Sequence, residues 1–242
     1  MSKQFAVFDI DGTIIRWQLY HAIGDALAKA GIIDMNHFEE VREARMAWKR
    51  REDEEQFRAY EAKLIQAFDA ALVGMPVETL AQVTDKVFDE YKEQIYTYSR
   101  DLIQELKTKH YILFAISGSP NIIVEKLATY YGFDDYAGSE FLSKDGKFTG
   151  EINLSLGKKP ALLKRLVEKH GADFAGSVGV GDSEGDIGML DLVEKPIALN
   201  PSKLLFEHAS KKQWQIVLER KNMIYQLESR DGSYVLAQTN AN

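Results

Sequence analysis

The feature that most constrains the fold is a series of short apolar runs, each followed by turn-forming or acidic residues. Residues 5–10 form the first run, which is rich in strand formers and ends at Asp11-Gly12-Thr13. Further strands are predicted at residues 111–116, 177–180 and 197–199, and helices at residues 101–109 and 159–169. Because strands that alternate with helices normally build a parallel sheet with both faces covered, the sequence predicts an α/β fold.

Residues 16–98 differ from the rest of the chain, because their apolar side chains recur at helical spacing. Leu64, Phe68 and Leu72 show this spacing, and Gly74-Met75-Pro76 marks a break between helices. The stretch has no convincing pattern of alternating apolar and polar residues. The sequence therefore predicts an all-helical insert that divides an α/β domain into residues 1–15 and 99–218.

Two β-hairpins are also expected. Asp145-Gly146 suits a tight turn, because both residues accept positive φ angles. The second hairpin is predicted in the C-terminal tail, residues 219–242, around Asp231-Gly232. Its alternating apolar residues are Met223, Tyr225 and Leu227 before the turn, and Tyr234 and Leu236 after it.

Composition narrows the function classes. The net charge of −7 argues against a protein that mainly binds nucleic acid through its phosphates, although it allows a local basic pocket for a small anion. The chain has no cysteine, which excludes disulfides, cysteine-ligated metals and thiol nucleophiles. No apolar run approaches the ~20 residues that span a bilayer, and the first residues lack a signal-peptide core. We therefore expect a cytoplasmic enzyme with no membrane or nucleic-acid partner.

Asp9 and Asp11 stand at the end of the first predicted strand. They are two residues apart, so their side chains point the same way on an ideal strand. Two carboxylates so close repel each other, and a hard cation such as Mg²⁺ reconciles them. The alternative is that they only form hydrogen bonds within the turn. Their position after an apolar strand, together with the segments described next, favours the metal site.

Two further segments have features of an anion site. Ser117-Gly118-Ser119 ends the second strand, and Pro120 is predicted to open the next helix, so hydroxyls, glycine amides and a helix N-terminus come together. An ordinary serine N-cap is the alternative. Lys159 directly precedes the helix-starting Pro160, and we choose it as the lysine that neutralises a phosphoryl oxygen, with Lys158 as the second choice.

A second acidic turn, residues 181–186, follows the strand at residues 177–180. Asp182 leaves the strand end as a metal ligand or, alternatively, caps the next helix. Asp186 lies one helical turn later, and we expect it to hold Asp182, the lysine or a metal-bound water in place.

The order of these segments resembles the four motifs of the haloacid dehalogenase-like (HAD) phosphohydrolase superfamily. The matching residues are Asp9-Ile10-Asp11-Gly12-Thr13, Ser117, Lys159 and Gly181-Asp182-Ser183-Glu184-Gly185-Asp186. The helical insert between the first two motifs, and Ala198-Leu199-Asn200-Pro201, are similar to the phosphoserine phosphatase-like branch. The resemblance implies a Rossmann-like, doubly wound parallel sheet with an inserted helical cap domain at residues 16–98.

The resemblance also implies a mechanism and a ligand set. Asp9 is then the nucleophile that forms an aspartyl-phosphate, and Asp11 is the general acid and base. Mg²⁺ is held by Asp9, the backbone carbonyl of Asp11, and Asp182. Five other residues bind the phosphoryl oxygens (Ser117, Gly118 and Lys159) or support the site (Asp186 and Asn200). The implied activity is a Mg²⁺-dependent phosphatase that acts on a small phosphorylated metabolite.

The substrate and the exact reaction are less constrained. Phosphoserine phosphatases of this branch typically carry a glutamate shortly after the first motif to bind the substrate ammonium, whereas residues 14–20 contain no acid. Phosphoserine is therefore not the expected substrate. Arg16 and Trp17 suit an anionic or planar leaving group better, or they merely anchor the insert. Two other functions use the same fold: a phosphotransferase with the same intermediate, and a non-catalytic binding module.

Overall fold

The structure, a computed structural model, describes residues 3–33, 35–50, 56–155, 157–230 and 233–241. The chain forms two compact units. The first contains Met1–Gln18, Glu90–Ser139 and Leu154–Asn242, and the second contains Leu19–Asp89 and Glu140–Asn153. Of the second unit, Leu19–Asp89 lies within the insert predicted at residues 16–98, whereas Glu140–Asn153 comes from later in the chain.

Nine strands are found among the described residues. In chain order they are β1 (Lys3–Phe8), β2 (Ile112–Pro120), β3 (Asp135–Lys144), β4 (Lys147–Asn153), β5 (Ala172–Gly181), β6 (Lys195–Leu199), β7 (Gln215–Arg220), β8 (Met223–Arg230) and β9 (Ser233–Ala241). The unit boundary falls within β3, so that its second half and β4 belong to the second unit.

In the described ranges five helices follow β1 before β2 begins, and the first four of them lie mainly in the second unit. In chain order the helices are α1 (Leu19–Lys29), α2 (Met35–Arg50), α3 (Gln56–Leu72), α4 (Val77–Tyr91), α5 (Thr97–Thr108), α6 (Asn121–Tyr131), α7 (Lys159–His170), α8 (Ile187–Leu190) and α9 (Lys203–Lys212). A 3₁₀ turn at Glu184–Asp186 precedes α8.

The sheet of the first unit is mainly parallel, as the sequence predicts. Its strand order is β3-β2-β1-β5-β6-β7-β8-β9. The strands from β3 to β7 pair in parallel, and the last two pairings are antiparallel. The chain builds outward from β1 first through β2 and β3, and then in the opposite direction through β5 and β6. This reversal beside β1 is where open α/β sheets bind ligands.

The central strand β1 explains why the first run of the sequence is uninterruptedly apolar. Its last four residues, Phe5–Phe8, are fully buried, which requires cover on both faces of the sheet. Phe5 and Val7 belong to a cluster that also contains Leu163 and Leu166 of α7. This rigid core fixes the position of the residues that follow β1.

The second unit combines the four amphipathic helices with the β3–β4 hairpin. Leu19, Ile23 and Leu27 of α1 are buried at helical spacing, as the pattern predicts. The ring centroids of Phe68 in α3 and Phe141 in β3 are 5.7 Å apart. The hairpin turns at Asp145-Gly146 with φ angles of 52° and 75°, which confirms the predicted tight turn.

Among the boundaries that differ from the sequence prediction are those at Pro120 and at residue 219. Pro120 ends β2 and is the N-cap of α6, instead of its first residue, because it still pairs with Ser139 of β3. Residue 219 lies inside β7, so the predicted tail begins within a strand of the sheet. The tail hairpin itself is confirmed by the pairing of β8 with β9, in which Leu227 lies opposite Leu236. The turn predicted at Asp231-Gly232 lies outside the described residues.

In the described ranges, none of the helices combines the length and the apolar character that a membrane crossing requires.

Candidate active site

Three neighbouring strands carry predicted site residues at their carboxyl ends. β1 lies between β2 and β5 and is parallel to both, so the three strands end at the same edge of the sheet. Asp9 follows β1, Ser117 lies near the end of β2, and Asp182 follows β5. The topology therefore gathers three segments that are far apart in the sequence.

A buried lysine links two of the aspartates. The Nζ atom of Lys159, the first residue of α7, lies 2.6 Å from Oδ1 of Asp9 and 2.6 Å from Oδ1 of Asp186. The three side chains are at most 5% exposed. Lys158, in contrast, is exposed. The structure thus brings Lys159, rather than its neighbour, to the predicted nucleophile.

The carboxylate of Asp11 is bound by two hydroxyl groups at the end of β2. Ser117 Oγ donates to Asp11 Oδ2 at 2.5 Å, and Ser119 Oγ donates to Oδ1 at 3.0 Å. Both serines are buried. No side chain caps the N-terminus of α6, so the alternative role of these serines as an N-cap is not what the structure shows.

Asp182 lies in a loop that Asp186 organises. Oδ2 of Asp186 accepts hydrogen bonds from the backbone N–H of Asp182 at 3.1 Å and from that of Ser183 at 3.0 Å. Ser183, not Asp182, is the N-cap of the 3₁₀ turn. Thr13 Oγ1 donates to Asp182 Oδ1 at 3.3 Å and joins this loop to the one after β1. Asp186 therefore holds both the lysine and the Asp182 loop.

The electrostatics of the cluster show an excess of buried negative charge. Burial raises the pKa of Asp9 to about 8, and the charges of Asp186 and Asp11 add to the rise, although Lys159 opposes it. Burial also raises the pKa of Asp182 well above its usual value, as does the charge of Asp9. Burial alone would lower the pKa of Lys159, but Asp186 and Asp9 outweigh it and raise that pKa. The single ammonium group of Lys159 does not neutralise the carboxylates of Asp9, Asp11, Asp182 and Asp186.

The donor set fits a hard divalent cation. One carboxylate oxygen from each of Asp9, Asp182 and Asp186 lies within 4.8 Å of the other two. Oxygen ligands of this kind are those that Mg²⁺ prefers. A cation there would offset the burial and the neighbouring negative charges that raise the pKa values of Asp9 and Asp182. Asp186 differs from the other two, because both of its oxygens already accept hydrogen bonds, from Lys159 and from the 182–183 backbone.

Arg16 has a different environment from the rest of the predicted site. Its Nη2 atom lies 2.5 Å from Oε1 of Glu219 in β7, and its guanidinium group lies over the ring of Tyr96, 5.4 Å from the centroid. Glu219 also accepts hydrogen bonds from the backbone N–H groups of Thr97 and Tyr98, the first two residues of α5, at 3.1 and 2.8 Å. The structure therefore places Arg16 in an ion pair and not against Asp9.

Asn200 links the end of β6, the strand beside β5, to Glu219 in β7. It follows β6 with a φ angle of 45°, and its Oδ1 atom accepts a hydrogen bond from the backbone N–H of Glu219 at 2.8 Å. Burial and, next in size, the charge of Asp182 raise the pKa of Tyr96.

Sequence reasoning missed both Glu219 and Tyr96. The only signal for Glu219 was a single acid in the apolar run of β7, which the predicted tail boundary had divided.

A second group of buried serines was also missed. Ser139 Oγ donates to the backbone carbonyl of Gly118 at 2.8 Å, and Ser155 Oγ donates to that of Ser117 at 2.5 Å. The backbone N–H of Ser155 in turn donates to Ser139 Oγ at 3.2 Å. Isolated serines in a sequence give no sign of such a network, because serines are common in loops.

Known proteins share sequence similarity with this chain. A family model described as haloacid dehalogenase-like hydrolase matches residues 6–191. The histidinol-phosphatase of Neisseria meningitidis serogroup C is 26% identical over 229 residues, which cover 89% of this chain and 98% of that protein. The phosphoserine phosphatase of Methanocaldococcus jannaschii is 28% identical over 128 residues, 52% of this chain and 58% of that protein.

The fold is also found among solved structures. A protein of unknown function from Bordetella pertussis Tohama I superimposes with a TM-score of 0.72 at 20% identity. The match covers 89% of this chain and 98% of that one. At this identity the similarity establishes the fold and nothing about the reaction.

Proposed function

The chain belongs to the haloacid dehalogenase-like hydrolase family, and from that premise we propose that it is a phosphatase that hydrolyses a phosphomonoester of a small metabolite. The reaction has two steps and passes through an aspartyl-phosphate. The observation that carries the proposal is the contact of Asp9 with Lys159, in which a buried carboxylate at the end of the central strand has a buried cation 2.6 Å from one oxygen. Charge compensation of this kind lets a carboxylate approach an anionic phosphate.

In the first step an oxygen of Asp9 attacks phosphorus. A bond forms between that oxygen and phosphorus, the bond from phosphorus to the alcohol oxygen breaks, and its electron pair stays on the alcohol oxygen. Because Lys159 binds Oδ1 of Asp9, we assign the attack to Oδ2. In the second step a water oxygen forms a bond to phosphorus, the bond between phosphorus and the Asp9 oxygen breaks, and its electron pair stays on Asp9. Inorganic phosphate is released and the carboxylate is restored.

Asp11 moves the protons in both steps. As general acid it gives a proton to the departing alcohol, and as general base it takes a proton from the attacking water. The support for this role is its position, two residues after Asp9 at the same strand end, with hydroxyl groups of Ser117 and Ser119 that fix its carboxyl group. The same serine loop, together with Lys159, offers donors to the phosphoryl oxygens.

We propose Mg²⁺ as the metal, held by Asp9, Asp182 and the backbone carbonyl of Asp11. Bound there, the ion supplies positive charge that lowers the repulsion between the carboxylate nucleophile and the phosphate. Asp186 supports these ligands, because its own oxygens already bind Lys159 and the backbone of the Asp182 loop. Burial, and then the charges of neighbouring aspartates, raises the pKa of Asp9 and of Asp182, which supports the proposal of a cation beside them.

The proposed substrate class is a small phosphorylated metabolite. The names of two relatives refer to esters of this kind, histidinol phosphate and phosphoserine. The ion pair of Arg16 with Glu219 favours anchoring as the role of Arg16 over contact with the leaving group. A panel of phosphomonoesters that includes both compounds is therefore the right screen, and the absence of an acid in residues 14–20 predicts that phosphoserine is a poor substrate.

The test is hydrolysis of p-nitrophenyl phosphate with and without Mg²⁺. We expect Mg²⁺-dependent release of inorganic phosphate by the wild type and a loss of at least ~100-fold in Asp9→Asn, which keeps the shape of the side chain but removes the nucleophile. Wild-type activity no greater than that of Asp9→Asn across the phosphomonoester panel would refute the proposal. Formation of an alkyl phosphate in the presence of added alcohol would indicate a phosphotransferase instead.

A further inference from the structure

The end of β2 presents two hydroxyl groups to one carboxylate. Ser117 Oγ donates to Oδ2 of Asp11, and Ser119 Oγ donates to Oδ1, at 2.5 and 3.0 Å. Ser119 is 2% exposed and Ser117 is fully buried. The family motif accounts for the first serine as a phosphate ligand, but it assigns no role to the second.

The two hydroxyl groups cannot have the same role during the reaction. A serine hydroxyl carries a single proton, so Ser117 cannot donate to Asp11 and to a phosphoryl oxygen at the same time. When Ser117 binds the phosphoryl group, its hydrogen bond to Oδ2 is lost. The bond from Ser119 to Oδ1 is independent of that exchange and remains.

The position of Ser119 is fixed by the backbone around it. Its backbone N–H donates to Ser117 Oγ at 2.9 Å, and the carbonyl groups of the two preceding residues are bound by Ser155 and Ser139. All four serines are at most 2% exposed. A buried hydroxyl group on such a rigid segment can determine the orientation of the carboxyl group that it binds.

We propose that Ser119 is the positioning residue for Asp11. Its hydroxyl group holds Oδ1 and so leaves Oδ2, once Ser117 has turned to the phosphate, as the atom that carries the proton. In the first step the Oδ2–H bond breaks, a bond from this proton to the departing alcohol oxygen forms, and the electron pair of the O–H bond stays on Asp11. This inference rests on the proposed phosphatase function and adds a residue to it.

The experiment compares two esters that differ in their need for a general acid. Phenyl phosphate releases a more basic oxygen than p-nitrophenyl phosphate does, so its first step depends more strongly on proton donation. We expect Ser119→Ala to lower kcat/KM about 10-fold or more for phenyl phosphate and at most about 3-fold for p-nitrophenyl phosphate. Ser119→Gly also lacks the hydroxyl group and gives the same comparison if the alanine variant does not fold.

Two variants serve as references. Ser117→Ala should lower kcat/KM for both esters by a similar factor, because it removes a donor to the phosphoryl group. Ser177→Ala removes another buried hydroxyl group, one that donates to the carbonyl of Phe174 at the far end of β5, and should leave the ratio of the two esters at its wild-type value.

The outcomes separate this inference from the proposed function. An active wild type with equal losses on both esters in Ser119→Ala, or with no loss, would overturn the positioning role while leaving the phosphatase intact. A wild type that hydrolyses neither these esters nor any other phosphomonoester would overturn both.

Discussion

A β-carbon on residue 12 would lie 2.2 Å from Oδ2 of Asp182, so glycine at position 12 allows these two loops to approach each other. Its φ angle of +81° also favours glycine. We therefore expect Gly12→Ala to displace the Asp182 carboxylate and to lower phosphatase activity by ~100-fold or more. Hydrolysis of p-nitrophenyl phosphate measures the effect.

Gly171→Ala separates this clash from backbone strain. Gly171 has a φ angle of +59°, but a β-carbon built there would contact no side chain or backbone from elsewhere in the described residues within 4 Å. Both variants should lose about 1 kcal/mol of folding free energy from the left-handed conformation, but only Gly12→Ala should lose activity. Equal activity of the two variants would contradict the proposed contact.

The charge of Lys159 is expected to be essential to both the chemistry and the stability of the site. Lys159→Met leaves the carboxylates of Asp9 and Asp186 without the ammonium group that lies 2.6 Å from each. We expect activity to fall at least ~100-fold and the free energy of unfolding to fall by about 3 kcal/mol, because a buried ion pair that loses one partner leaves uncompensated charge. Lys158→Met, at the exposed neighbouring position, should change neither quantity appreciably.

Mg²⁺ should stabilise the folded chain through Asp182. A ligand that binds only the folded state at 100 times its Kd adds about 3 kcal/mol to the free energy of unfolding. We expect a corresponding rise in Tm for the wild type and little or none for Asp182→Asn. Asp173 is exposed and its side chain accepts a hydrogen bond from the backbone N–H of Ala175, so Asp173→Asn should behave as the wild type. Equal shifts in all three proteins would place the metal elsewhere.

The sequence predicts the site better where its residues follow strands than where they depend on contacts across the sheet. The carboxyl ends of parallel strands meet at one edge, so the positions of Asp9, Ser117 and Asp182 follow from the strand pattern alone. Lys158 and Lys159 are neighbours, and the sequence favours Lys159 because it directly precedes the helix-starting Pro160. In the structure the side chain of Lys159 is buried beside Asp9, and Lys158 is exposed.

Glu219, which sequence reasoning missed, has a different property, because its partners Arg16 and Thr97 lie more than 100 positions away. Ser119 belongs to a predicted segment, but its contact with Asp11 also joins distant positions. No local pattern records such a pairing. The predicted tail boundary at residue 219 also divides β7, which continues through Arg220.

Glu219 should contribute more to stability than its exposed counterpart in the neighbouring strand. Its side chain is 1% exposed and binds Arg16 together with two N–H groups at the start of α5, an end that has no side-chain cap of its own. We expect Glu219→Ala to lower the free energy of unfolding by about 2–4 kcal/mol in urea titrations.

Glu228 provides the matched control, because it pairs with Arg230 at the surface of β8. Glu228→Ala should cost less than about 0.5 kcal/mol, as is usual for exposed ion pairs. If the two variants lost the same stability, the buried position of Glu219 would have no special importance.

His21 should make the stability of the second unit depend on pH. Burial, and then the charge of Arg45, lowers the pKa of His21 from 6.5 to about 4 in the folded state, and its ring lies against that of Tyr60 with centroids 4.7 Å apart. Between pH 4 and pH 6.5 the unfolded chain binds a proton that the folded chain does not. The contribution of His21 to stability is therefore fully present above pH 6.5 and is lost as the pH falls toward 4.

We expect the free energy of unfolding to fall by about 2 kcal/mol from pH 7 to pH 5 through His21 alone. Urea titrations at the two pH values, with His21→Gln as the comparison, measure it: the glutamine variant should lack this part of the pH dependence, and an unchanged dependence would show that His21 is not its source.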